Sequence, residues 1–282
     1  MNLVLALASA LVLGSADFVG GLAAKRAAAA VVVIWSNAAG LATALLLVTV
    51  LSRSGTGWGD MLWGGLAGLC GSVGAILLYR ALAGGVMSLV APTTAAAAAA
   101  LPVVAGVLTG DRLTTLAVLG VVTALGAVLL VSLGDATPDA DGGRRETLRS
   151  LGLALLAGAG FGAFFVLLSR TPGHSGPWPL VWARCASLTL LLGIAAARRT
   201  SLRLPAAAAR PALLSGLLDM ASSALFLVAV RGGSLAVVGL LSSLYPVSTV
   251  VLARFVLKER IRPVQHCGVA LAVGSVLLFA YR

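Results

Sequence analysis

Among the charged side chains of this 282-residue chain that fall inside long apolar runs are Asp17, Arg80, Arg184 and Asp219. Inside a bilayer an ionisable group costs several kcal/mol unless it is paired or hydrated. Asp219 lies roughly 12–14 Å from the start of its run, near the midplane, at 1.5 Å per residue. Arg184 lies about six residues into the preceding run. Asp219 therefore reads either as half of a structural ion pair with Arg184 or as a proton- or substrate-linked carboxylate facing a cavity. The two readings are compatible if protonation breaks the pair during a cycle. Asp17 and Arg80 lie nearer the ends of their runs, where snorkelling to the interface competes with a functional role.

A second group is polar but uncharged. Pro92, Pro102 and Pro246 each remove a backbone donor and free a carbonyl within a run. Beside them stand Thr93, Thr94, Ser242, Ser243 and Tyr245, and as a cluster these favour cavity lining over simple packing. Asn37 holds the place in the second run that Arg184 holds in the seventh. Trp35 and Trp182 read as interface anchors or as platforms for a flat substrate.

Enzyme chemistry has no visible constellation. His174 and His266 fall at or near expected loops, away from any cysteine pair that would make a metal site. Gly158-Ala-Gly160-Phe-Gly162 lies in an apolar run with no preceding strand, so close helix packing accounts for it better than phosphate binding. The same holds for Gly64, Gly68, Gly71 and the six alanines Ala95 to Ala100. No cofactor is expected, and without a nucleotide-binding motif the energy for any transport must come from a gradient or from exchange.

These residues sit in a chain that is 60% hydrophobic and only 10% charged, with a mean hydropathy of +1.05. Soluble domains carry about a quarter charged residues. Apolar runs of about 20 residues recur throughout, each long enough to cross a bilayer core. Their continuity excludes a β-barrel, which needs alternation. The formal charge of +11 sits mostly between the runs, which points to a membrane surface rather than nucleic acid. Cys70, Cys185 and Cys267 all lie in apolar runs, against a disulfide framework. The first run lacks a basic start and carries Asp17, so it reads as a retained helix.

Ten spans fit, near 3–22, 29–51, 61–82, 86–108, 113–133, 151–169, 178–197, 211–230, 234–257 and 263–281. A polar stretch at 134–150 reads as a surface linker between two halves, 1–133 and 151–282. The halves align. Gly84-Gly85 and Asp111 recur 148 residues later as Gly232-Gly233 and Glu259, and Gly120 and Gly126 recur as Gly268 and Gly274. Trp35 and Asn37 match Trp182 and Arg184 at an offset of 147; Gly14 and Arg26 match Gly158 and Arg170 at 144. The same order along four elements marks an internal repeat. Because five is odd, the second copy enters the membrane from the opposite face. The expected fold is an all-α membrane protein of ten transmembrane helices in two inverted five-helix repeats, an arrangement typical of secondary transporters.

The chain resembles the EamA-type transporters of the drug/metabolite transporter superfamily. The resemblance rests on Gly14-Ser-Ala-Asp17-Phe-Val-Gly-Gly, on Leu78-Tyr-Arg80-Ala-Leu, and on Leu241-Ser-Ser-Leu-Tyr-Pro246 through Lys258-Glu-Arg260. It implies a path lined by spans 1, 3, 4, 6, 8 and 9, and it is weak for substrate. One departure stands out: Pro246 precedes Glu259 by 13 residues, but Pro102 precedes Asp111 by only 9, with Ala98 at the repeat-equivalent position.

The expected function is a secondary transporter moving a small metabolite or drug-like solute by alternating access, with proton or ion coupling among its options. The rivals are a non-transporting membrane scaffold and a membrane-embedded enzyme. Spans 5 and 10 read as peripheral packing or homodimer helices. The expected location is the inner (plasma) membrane. Loops after odd-numbered spans hold twelve basic residues against five on the other face. Positive-inside logic thus places the termini outside, whereas the resemblance implies cytoplasmic termini.

Overall fold

A computed structural model describes residues 1–51, 55–84, 87–111, 114–133, 144–256 and 263–280. Gly85, Lys258-Glu259-Arg260 and most of the expected linker (134–143) lie outside the described residues, as does the side chain of Pro92.

Apolar chain in a bilayer must satisfy its own backbone groups, and helices do this within one segment. The described elements are helical: α1 (Asn2–Ala24), α2 (Ala29–Leu51), α3 (Trp58–Gly84), α4 (Met87–Leu108), α5 (Thr115–Leu133), α6 (Arg144–Ser169), α7 (Trp178–Ala197), α8 (Ala206–Arg231), α9 (Leu235–Ser242), α10 (Tyr245–Val256) and α11 (Pro263–Ala280), with one 3₁₀ turn at Gly173–Ser175. Six of them, α1, α2, α3, α6, α7 and α8, are long and apolar enough to cross a membrane. Four shorter apolar stretches are Thr93–Leu108, Thr115–Leu130, Leu235–Thr249 and Pro263–Leu278.

Two expectations need correction. The ninth span, expected as one helix over 234–257, is two helices separated at Ser243-Leu244. Pro246 cannot donate to the Ser242 carbonyl, and its ring crowds that carbonyl. The end of α9 tightens instead: Ser243 N donates to the carbonyls of Gly239 and Leu240, and Leu244 N to that of Leu241 at 3.1 Å. Ser243 Oγ also donates to the Gly239 carbonyl at 2.8 Å, the competition with backbone that weakens serine as a helix former. The second correction concerns the linker, whose residues 144–150 already belong to α6.

Helix packing is dominated by α1 along α8, α3 along α6, and α5 along α11; α4 packs on α6, α3 on α7, α2 on α8, and α1 on α9 and α10. Small residues make these approaches close. A side chain at Gly68 would collide with the Ala183 carbonyl of α7, and one at Gly14 with the Tyr245 carbonyl of α10. Serines stitch the helices. Ser9 and Ser222 donate to each other's carbonyls at 3.0 and 2.9 Å, Ser215 donates to the Ala16 carbonyl at 2.9 Å, and Ser36 to that of Ala212 at 2.8 Å. The buried core holds Phe226, Leu168, Met220, Leu240 and Leu241. Val4, Leu11, Leu46, Val50 and Leu62 are exposed, as side chains that meet lipid should be.

The end of the bundle that carries Met1 is tied shut. Asn2 donates to the Gly232 carbonyl, Arg231 Nη2 to the Pro172 carbonyl at 3.1 Å, and Trp182 Nε1 to Thr56 Oγ1 at 2.8 Å. Asp111 Oδ2 accepts from Ser234 Oγ at 2.7 Å and from Ala236 N at 3.0 Å, both at the start of α9. At the other end Arg26 Nη1 donates to the Ala207 carbonyl and Trp35 Nε1 to the Leu202 carbonyl, each at 3.0 Å. Lys25, Arg26, Arg198, Arg199, Arg203 and Arg210 are exposed there.

Candidate functional site

Between the two halves lies a cavity of about 490 Å³. It reaches along α1 from Leu13 to Ala24 and onto α2 at Ala29, so it extends toward the end of the bundle away from Met1. Helices α1, α2, α3, α4, α6, α7, α8 and α10 contribute to its wall. Helices α2 and α7 were absent from the path that the resemblance implied. They reach the cavity wall through Asn37 and Arg184, among others.

Arg184 organises the polar part of the wall. Its Nη2 lies 2.5 Å from Asp219 Oδ2 and 3.3 Å from Ser223 Oγ, while its Nη1 donates to Asn37 Oδ1 at 3.2 Å. The Ser223 hydroxyl in turn donates to the Asp219 carbonyl at 2.9 Å, and Asn37 Nδ2 to the Val33 carbonyl at 2.9 Å. Gly40 leaves room for the guanidinium stem, since a Cβ there would lie 3.4 Å from Arg184 Nε. The Arg184 side chain is 12% exposed and that of Asp219 33%. A paired charge with every neighbour hydrogen-bonded can persist at this depth.

Of the other expected residues, Asp17 and Tyr245 also line the cavity. The structure keeps the rest apart from it. Arg80 is exposed near the end of α3. Thr93 is not part of the wall, and Thr94 is buried, its hydroxyl donating to the Ala154 carbonyl at 3.2 Å and joining α4 to α6. Ser243 bonds back into α9, and Ser242 Oγ is buried without a partner among the described residues. The break in the ninth span turns both serines into the protein and leaves Tyr245, just beyond it, facing the cavity. Trp35 and Trp182 stand at opposite ends of the bundle with their indole N–H groups bonded to connecting segments.

The sequence reading passed over an aromatic wall from α6, Phe161, Phe164 and Phe165. Their i, i+3, i+4 spacing was the available signal for one helix face. Phe165 also stacks obliquely on Phe226, with ring centroids 4.6 Å apart. It passed over the lining serines Ser36, Ser72, Ser187, Ser215, Ser222 and Ser223 as well. The arrangement is that of a solute pocket: a mostly apolar, partly aromatic wall with a few placed polar groups.

Comparison with known proteins agrees with the architecture. A protein crystal structure 15% identical in sequence superposes with a TM-score of 0.80, covering 99% of this chain and 96% of the other. At that identity the likeness concerns the fold. No curated protein matches the sequence. Residues 148–281 match the model of the EamA-like transporter family, so the second half of the chain is similar to a unit of that family.

Proposed function

We propose that the chain is a secondary transporter that carries a small solute by alternating access through the cavity around Arg184 and Asp219. The observation that carries this reading is the cavity itself, with a polar cluster between helices of both halves at mid-bundle depth. Ten membrane crossings in two inverted repeats, 1–133 and 151–282 joined by the linker, account for the packing. Exchanging the halves turns α1 against α8 into α6 against α3, and α2 against α8 into α7 against α3. It turns α4 against α6 into α9–α10 against α1, and it returns α5 against α11 and α2 against α7 to themselves. Inverted repeats related in this way supply two equivalent conformations, each open to one side.

The described conformation fits one of them, tied shut at the Met1 end and hollow toward the other. Counting basic residues, the hollow side faces the cytoplasm of the plasma membrane and the termini face outward. The scaffold reading gives no account of an ion pair set on the wall of a cavity between the halves.

Accessibility tests the proposal. A single cysteine replacing Leu191, which lines the cavity, in a chain freed of Cys70, Cys185 and Cys267, would be labelled in sealed vesicles with a membrane-impermeant maleimide. Alternating access requires labelling from either side. Labelling from one side only, under every solute condition, would sink it; which side reacts faster reports the orientation.

A further inference from the structure

Among the described residues, the charges that line the cavity do not balance. Two carboxylates, Asp17 and Asp219, line it against one guanidinium, Arg184. That guanidinium is already engaged by Asp219, Asn37 and Ser223. Asp17 has no hydrogen bond or ion pair among the described residues, and it is exposed and lines the cavity. Ordinary packing gives no reason to hold an unpaired carboxylate among apolar walls at a bilayer's expense of several kcal/mol. A positive guest supplies one. The remaining lining fits the rest of such a guest, because Phe161, Phe164, Phe165 and Tyr245 present aromatic surface. Aromatic faces attract desolvated cations and accept apolar bodies equally well.

We infer that the solute taken by this cavity is an organic monocation with an apolar or aromatic body, its positive centre held by Asp17. The inference rests on the cavity being the transport site. The Arg184–Asp219 pair then serves as the neutral floor of the pocket, and Asp17 as the group that selects charge. An anionic solute meets a wall with one negative charge in excess. A neutral one leaves Asp17 uncompensated and desolvated.

Three probes with one skeleton isolate charge from shape: phenylpropylamine, phenylpropyl alcohol and phenylpropionate. Binding to the purified full chain, measured by titration calorimetry in the same detergent, should favour the amine over the alcohol by about tenfold or more, the scale of a desolvated charge contact, and the carboxylate should be weakest. Asp17→Asn should erase the preference for the amine, and Asp17→Glu should keep it. Equal or tighter binding of the alcohol or the carboxylate, an amine preference that survives Asp17→Asn, or no binding of any probe to folded protein overturns the inference. Should Asp17→Asn fail to fold, the ranking by the unaltered chain and by Asp17→Glu still decides. The two readings fail separately. Charge-selective binding without uptake into proteoliposomes removes the transporter and leaves the cation site. Uptake that favours the neutral or anionic probe does the reverse.

Discussion

Asn37 and Arg184 hold corresponding places in α2 and α7, 147 residues apart (184 − 37), and they touch each other at 3.2 Å. One is neutral and one is charged. Two arginines meeting at this depth would repel, and two asparagines would leave Asp219 without a counter-charge. On the repeat proposed above, the difference places chemistry on the axis between the copies: only one copy carries the charge, and the partner acid comes from α8 of the same half. The fourth and ninth spans differ in the same spirit. Helix α4 runs unbroken from Met87 to Leu108 with Pro102 inside it, whereas the ninth span breaks ahead of Pro246. Alanine is the strongest helix former and has no bulk to clash around a proline, so the run Ala95 to Ala100 holds α4 together. Gly239, Ser242 and Ser243 give the ninth span no such support.

The largest effect is expected where the asymmetry is removed by deleting the acid. Asp219→Asn strands Arg184 and should destabilise the fold by about 3–5 kcal/mol, toward the lower end because Asp219 is a third exposed to the cavity. Thermal unfolding of the purified protein measures it. Combining Asp219→Asn with Arg184→Gln should restore stability without restoring transport; full transport by the stable double variant would reduce the pair to architecture.

Making the two places alike is the next step down. Asn37→Arg adds a second guanidinium beside the first and should cost about 2.5–3.5 kcal/mol, the scale for an uncompensated charge at mid-membrane. Asn37→Asp should instead tighten the grip on Arg184. Equal melting temperatures for the two variants would mean that the contact between the halves carries no charge preference.

The smallest effects separate the two proline-bearing spans. Pro102→Ala restores a donor for the Ala98 carbonyl inside a continuous helix and should stabilise by about 1 kcal/mol, less whatever contact is lost against Gly239. Pro246 stands in the first turn of α10, where a proline removes no helical bond, so Pro246→Ala should change stability by less than about 0.5 kcal/mol. A larger gain at Pro246 than at Pro102 would mean that the break is imposed by the proline alone and not by the residues before it.

Much of this was legible in the chain. The helical membrane class, most helix limits and the Arg184–Asp219 pair follow from apolar run length and from the cost of lone charges. The rotation of each helix does not. These helices are apolar nearly all round, so no polar stripe marks the inward face. Ser187 and Thr189 look alike as letters, yet one is buried and donates to the Gly68 carbonyl while the other is exposed and bonds within its own helix. Which serine meets the cavity depends on what packs beside it. The break at Ser243-Leu244 escaped for a related reason: Pro102 and Pro246 carry the same local rule, and their neighbours decide whether the helix yields.

Asp111 has a bearing on populations. One carboxylate oxygen holds both the Ser234 hydroxyl and the Ala236 amide at the start of α9, and a hydrogen bond to a charged group contributes about 1.5–3 kcal/mol net. Parting α4 from α9 at this end gives up one or both. A bias of about 2–4 kcal/mol corresponds to roughly thirty to a thousand closed molecules for each open one. On the cycle proposed above, the empty chain is thus expected to wait mostly in one posture, with this oxygen one of several ties at that end, and Asp111→Asn should raise the open fraction in the same vesicle labelling experiment.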